Sequence, residues 1–347
     1  MAVIDKPSDY FNTKLWTGNG SDDRSITGVG FKPDWVWLKQ RNGTNYHTSF
    51  DSVRGATKRL FPNVTEVQDT NADSLQAFET DGFEVGTNGG INGNSSTYVA
   101  WNWLAGTTSG IATNGATTIT PQSYSFNQTS GMSIINYDGN NTAGAKVPHG
   151  LGATPDMMIV KAMNGGSIHW AVYHQAMGNT HYMQFDTNAQ LDDAGVWNDT
   201  SPDSVNFTVG NSDKTNTVTY IAYCFKDVPN YSKFGSYVGN GDSSGAFIYT
   251  GFKPAFIIFK RSIGGTGNWQ LLDNKRLGFN NENRTLYPNS AIAEEQEDDL
   301  DIVSNGFKLR NTGTDGNGNG STYIYMAFAE NPFVTSTGNG SIPATAR

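Results

Sequence analysis

Cysteine is almost absent from this chain, with Cys224 the only one among 347 residues. No intrachain disulfide can form, and a lone thiol in an apolar, strand-like stretch reads as a buried, inert group. Charge is scarce too: charged residues make up 16%, against roughly a quarter in average proteins. The balance is acidic, with 23 Lys and Arg against 32 Asp and Glu, a net charge of −9. Without clustered Lys and Arg there is nothing to grip a phosphate backbone, so nucleic acid is excluded as an expected partner. No apolar run approaches the 18 or so residues of a helical membrane span, and no membrane insertion is expected. The opening MAVIDKPSDYFN has neither a basic nor an apolar region, so no secretory leader is expected. Capped helical periodicity is missing as well. Its nearest approach is SAIAEEQEDDLD from Ser290, expected to form one or two helical turns.

Glycine is abundant, at 40 residues, and aromatics reach 12%. Together with many Asn, Ser and Thr, this composition describes many tight turns joining short strands around real cores. The same text also recurs three times. GFKPDWVWLK (Gly30 to Lys39), GATPDMMIVK (Gly152 to Lys161) and GFKPAFIIFK (Gly251 to Lys260) each follow a Gly/Asn-rich turn. Each precedes a second matched block: HTSFD from His47, WAVYH from Trp170 and WQLLD from Trp269. The copies close on TYVAWNW from Thr97, TYIAYCF from Thr219 and TYIYMAF from Thr322. A period this long makes each copy a small domain, not a solenoid repeat. The expected fold is therefore all-β, with three tandem pseudo-repeated antiparallel β-sandwich modules. Module 1 with its N-terminal segment spans residues 1–105, and a Thr/Ser-rich connector spans 106–131. Module 2 spans 132–226, a short linker 227–233, and module 3 with its C-terminal tail 234–347. The connector's alternation at Ile119, Pro121, Tyr124 and Phe126 suits an edge strand added to a neighbour.

The copies test one another's aromatics. Trp35 aligns with Met157 and Phe256, Trp37 with Ile159 and Ile258, and Trp101 with Tyr223 and Met326. A position that accepts Met, Phe or Ile fills volume. Trp35, Trp37, Trp101, Trp103, Phe256 and Phe328 are accordingly assigned to cores. Trp16 and Trp197 have no clear apolar counterpart and are the candidates for exposed stacking. DGNGNG, from Asp315, imitates half of a calcium loop through Asp315, Asn317 and Asn319, but Met326 stands where the closing acid belongs. These three residues are kept as weak ligand candidates, and no metal site is assigned. His47, His149, His169, His174 and His181 are scattered; His169 and His174 point to opposite faces of one strand. Asp51 with Arg54, and Asp273 with Arg276, repeat an acid–base pair that module 2 replaces by His174 and Met177. A local salt bridge fixing a turn is the expected role, with ligand binding the alternative. Nucleophile elbows, Walker loops and dinucleotide fingerprints are missing, and the acids of EEQEDDLD from Glu294 form a run instead of a facing pair. No catalytic residue and no cofactor is assigned.

The segments GFKPDWVWLK, FDSVRGATKRL, HGLGATPDMMIVK to WAVYH, and the ending AFAENPFVTSTGNGSIPATAR resemble a known group. They are similar to repeated modules in structural proteins of marine and cyanobacterial tailed bacteriophages, described as lectin-like or tail-fibre-like. The resemblance implies a non-enzymatic virion protein, made in the host cytoplasm and exposed on the particle. Its partners would be other virion proteins (capsid, tail or adaptor) and host cell-surface glycan, and it would act as a homo-oligomer. A head or tail decoration protein that binds only its particle neighbours is the alternative, and a glycan depolymerase a third. Outward contacts are expected from loops: TNGGINGNSS from Thr87, TGTDGNGNGS from Thr312 and QLDDAGVWNDTSPD from Gln190.

Overall fold

The computed structural model describes residues 4–189, 191–193, 195–276, 280, 283–297 and 299–332, and these build an all-β, antiparallel protein. The first stretch forms β1 Phe11–Thr17, β2 Arg24–Thr27, β3 Trp35–Gln40, β4 Thr48–Asp51, β5 Lys58–Arg59, β6 Asp69–Thr70, β7 Leu75–Glu79 and β8 Gly82–Val85. One helical turn, α1 Gly89–Asn92, leads into β9 Thr97–Trp103. The second forms β10 Ser123–Asn127, β11 Met132–Asp138, β12 Ala145–Pro148, β13 Met157–Ala162, β14 Ala171–His174, β15 His181–Gln184, β16 Asp192–Asp193, β17 Asn206–Val209 and β18 Thr219–Phe225. The third forms β19 Ser232–Val238, β20 Phe247–Tyr249, β21 Phe252–Ile263, β22 Gln270–Asp273 and β23 Asn283–Thr285. It continues with β24 Glu295–Glu297, β25 Leu300–Val303, β26 Gly306–Leu309 and β27 Thr322–Pro332.

The three main sheets share one strand order: β1-β9-β3-β4, then β11-β18-β13-β14, then β19-β27-β21-β22. In the second, β10 adds at one edge, as the alternation of the connector suggested, and β15 and β16 extend the other. A smaller sheet backs each main one: β2-β8-β7, β12-β17 and β20-β26-β25. Each main sheet thus has two apolar faces, which explains why WVWLK is apolar throughout. Val36 and Leu38 pack toward the small sheet with Ile26, Phe83 and Val85. Trp35 and Trp37 point the other way, into one core shared by all three stretches.

That shared core holds Trp35, Trp37, Trp101 and Trp103 with Ile159, Tyr223, Phe256 and Phe328. Trp35 stacks on Trp103 at 4.4 Å and on Tyr223 of the second stretch at 4.5 Å. Phe11 stacks on Phe328 of the third at 5.2 Å. Such pairs contribute about 0.5–1.5 kcal/mol each beyond the area they bury.

The seams between the three stretches form a ring. The Gln68 N–H donates to the Met163 carbonyl (3.2 Å), Leu191 to Ser262 (3.2 Å) and Glu294 to Arg41 (2.7 Å), joining first to second, second to third and third to first. The lysine two residues before each acceptor is fully buried. Lys39 donates to the Gly43 carbonyl (2.8 Å), Lys161 to Thr65 (2.9 Å) and Lys260 to Arg261 (2.9 Å). Burial pulls Lys39 and Lys161 down to about 8 and Lys260 to about 7, with Glu294, Asp186 and Asp315 drawing them partly back. The helix expected near Ser290 does not form. Glu294 is held by both Arg41 (2.9 Å) and Arg276 (3.2 Å), and Glu295–Glu297 continue as an extended strand paired with β23.

Candidate functional site

The loops ahead of the three closing strands are built on one plan, and a buried asparagine sets their register. Asn92 donates to the Ser21 and Gly86 carbonyls (2.8 and 3.0 Å) and accepts from the Asn19 N–H (3.2 Å). Asn216 does the same with Thr142 and Asn140, and Asn317 with Asp242, Asn311 and Asn240. Each amide ties its loop to the turn after the first strand. That turn approaches so closely that a Cβ on Gly18 would sit 2.1 Å from the Gly93 oxygen. The hydroxyls of Tyr98, Tyr220 and Tyr323 donate to the Gly89, Asp213 and Thr314 carbonyls of the same loops. Their rings stack on Trp16, Tyr137 and Tyr237 at 5.2, 5.4 and 4.9 Å.

Two expectations are corrected here. Trp16 is 8% exposed, its indole N–H spent on the Ile91 carbonyl (3.2 Å). It is a core stacking partner whose counterparts are Tyr137 and Tyr237. Asn317 is fully buried, and its oxygen already accepts a backbone N–H, so it has nothing to offer a cation. Asp315 accepts from the Asn268 N–H (3.1 Å) and ties its loop to the one before β22, while Asn319 is exposed.

Counting two residues back from the buried asparagine gives Gly90, Lys214 and Asp315. In the second module Lys214 lies over the Tyr182 ring (5.8 Å), and in the third Asp315 binds the Asn268 backbone. In the first, Gly90 carries no side chain and a Cβ on Gly89 would meet nothing within 4 Å. The space stays open as a cleft of about 540 Å³, bordered by Asn45, Tyr46, Arg59, Glu66, Asp69 and Asn88. Tyr46 is 39% exposed and meets Phe61 edge-on at 5.7 Å. The Arg59 guanidinium lies over the Phe61 ring (5.3 Å) and makes a two-point ion pair with Asp69. Glu66 is exposed and makes no ion pair or hydrogen bond among the described residues. The cleft therefore offers one half-exposed ring, free carboxylate oxygens and side-chain amides.

Other candidates prove structural. Trp197 is 1% exposed and packs edge-on against Tyr173 (5.8 Å), so its expected exposure is corrected. Trp35, Trp37, Trp101, Trp103, Phe256 and Phe328 all lie in the shared core. Cys224 is buried, and its thiol is pushed up to about 12 by that burial. Arg54 and Arg276 do bond locally to Asp51 and Asp273 (2.5 and 2.7 Å), and both pairs are buried where they cross seams. The Tyr223 hydroxyl donates to Asp51 (2.7 Å), and the Trp101 indole donates to Asp273 (3.0 Å). In the remaining seam the matching residue, Met326, has no donor. There His174 replaces the acid and donates to the Tyr325 carbonyl (3.2 Å), while burial lowers its pKa to about 4.

The cleft residues were not singled out from sequence. The only trace was the loop from Thr87, whose Gly90 stands where the sister loops carry Lys214 and Asp315. No curated protein and no solved structure matches the chain. Residues 6–332 match a family model described as a domain of unknown function, DUF7483, and the chain belongs to that family.

Proposed function

We propose that the protein is a non-enzymatic component of the exterior of a tailed-phage particle, and that the module 1 cleft binds a sugar unit of host-surface glycan. The three modules are, on this reading, copies of one unit, of which the first is specialised for recognition. The observation that carries the proposal is the cleft left open at Gly90, where the sister loops carry the side chains of Lys214 and Asp315. A half-exposed Tyr46 ring suits the apolar face of a pyranose. Glu66 and Asn45 suit its hydroxyls, because carboxylate and amide oxygens accept the O–H hydrogens, while the Asn88 oxygen is held by the Gly90 N–H (2.9 Å). Binding is favoured over hydrolysis because Asp69 is committed to Arg59, and a glycosidase needs two carboxylates free to face one bond. Single contacts of this kind are weak, and many copies on a particle multiply them.

Titration of the chain against fragments of host surface polysaccharide tests this. Tyr46→Ala is expected to weaken binding about tenfold, in line with the energy of one aromatic contact. Gly89→Tyr fills the cleft without touching the core and is expected to abolish binding. Binding that survives Gly89→Tyr, or no binding by the parent chain, defeats the proposal. Cryo-electron microscopy of intact particles locates the chain.

A further inference from the structure

We infer that the free edge of β20 in module 3 is a docking site for an extended strand of another polypeptide. The argument begins with the equivalent strand of module 2. There β12 is the edge of its small sheet, and the chain's own connector lies along it. The Thr118 and Ile119 N–H groups donate to the Lys146 carbonyl (both 3.0 Å), and Lys146 N–H donates to the Thr118 hydroxyl (2.7 Å).

Pairing with β17 and β26 makes Lys146 and Pro148 the counterparts of Phe247 and Tyr249. The linker into module 3 is too short to repeat the cover. The Leu309 N–H donates to the Ala246 carbonyl (3.0 Å), so the backbone groups of Phe247, the next residue, point away from β26. Among the described residues, Phe247 and Tyr249 have no backbone partner on that outer side. An unpaired edge is a template for another strand.

Two further observations separate this edge from an ordinary one. Phe247 is 49% and Tyr249 59% exposed, flanking the bare edge on the solvent face. The fold does not require rings there, because module 1 places Ser25 and Thr27 at the same positions, with the Ser25 hydroxyl bonded to Glu79 (2.9 Å). Nor does a side chain cover Tyr249, since its cross-strand partner is Gly306. The occupant is therefore an extended, uncharged segment of the connector's type, rich in Thr with an apolar residue between. Its N–H groups would pair with the outward carbonyls, its apolar residue would turn to the core face as Ile119 does in module 2, and its threonine methyls would rest beside the two rings.

The test uses the full chain and a fluorescent peptide carrying residues 114–122, NGATTITPQ. Binding is expected, with slowed hydrogen exchange at the Phe247 and Tyr249 amides. Tyr249→Pro introduces the residue that module 2 carries there and removes an outward N–H together with one of the two rings, leaving the pairing with β26 in place. Combined with Phe247→Ser, it is expected to weaken binding at least tenfold, whereas Tyr46→Ala leaves it unchanged, which separates this site from the cleft. Methylating the peptide at the Thr118 and Ile119 nitrogens is expected to abolish binding. Any of three results overturns the inference: no binding by the parent chain, binding indifferent to N-methylation, or self-association through this edge that excludes the peptide.

Discussion

The three seam lysines make pH a direct probe of single residues. Lysine titrates near 10.4 in an unfolded chain. Burial holds Lys39 and Lys161 at about 8 and Lys260 at about 7 in the folded one. Between those values the unfolded state binds more protons, so stability rises with pH across the window and is least below pH 7. The urea midpoint is expected to climb from pH 7 to 9.5, and Lys260→Met to flatten part of the climb. Cys224, pushed up to about 12, opposes this from about pH 9, near the ordinary thiol range. A midpoint that is flat or falls from pH 7 to 9 would contradict the assignment. At this scale the sequence was a fair guide wherever matched segments could be compared. Trp35 and Trp37 were recognisable as core because Met, Phe and Ile replace them. Trp16 was misread because its counterparts, Tyr137 and Tyr237, are polar-tipped and look like surface residues. Trp197 lies in an unmatched stretch whose pattern gives it no face.

At the scale of elements, the strands were legible and their junctions were not. Alternation marks which side chains share a face, but not which module they face. The acid–base pairs show this best. Asp51 and Asp273 looked like local turn fasteners, yet each also accepts from a donor one module away, Tyr223 or Trp101. The departure at His174 coincides with Met326 at the position of Tyr223 and Trp101, and Met326 has no hydrogen to give. His174→Asp is therefore expected to destabilise the protein by about 3–5 kcal/mol, as an uncompensated buried charge does. Adding Met326→Tyr and Met177→Arg supplies the missing donor and cation and is expected to recover at least about 1 kcal/mol. Urea denaturation of the variants decides it; a triple variant no more stable than His174→Asp would show that donor matching does not select the residue. The cleft was illegible for a related reason. It depends on what Gly90 lacks, and only the buried Asn92, Asn216 and Asn317 reveal the register that makes the lack visible.

For the whole molecule, the shared core predicts one unfolding transition. Trp35, Tyr223, Phe256 and Phe328 come from three stretches of chain yet enclose one another. Exposing one module's inner face strips the other two. Calorimetry is expected to show a single peak with calorimetric and van't Hoff enthalpies in agreement, and a fragment of residues 132–226 is expected not to fold alone. Two resolved peaks, or a cooperatively folded fragment, would refute this.

The ring of seams also bears on how such a chain can change over generations. A substitution at Asp51 is felt at Tyr223, one at His174 at Tyr325, and one at Asp273 at Trp101. Each change is therefore felt in the neighbouring stretch as well as at the local partner. Related sequences should show co-variation offset by one copy and closing on itself. The outer loops and small sheets lie away from these seams, and the open cleft and the bare edge are found there.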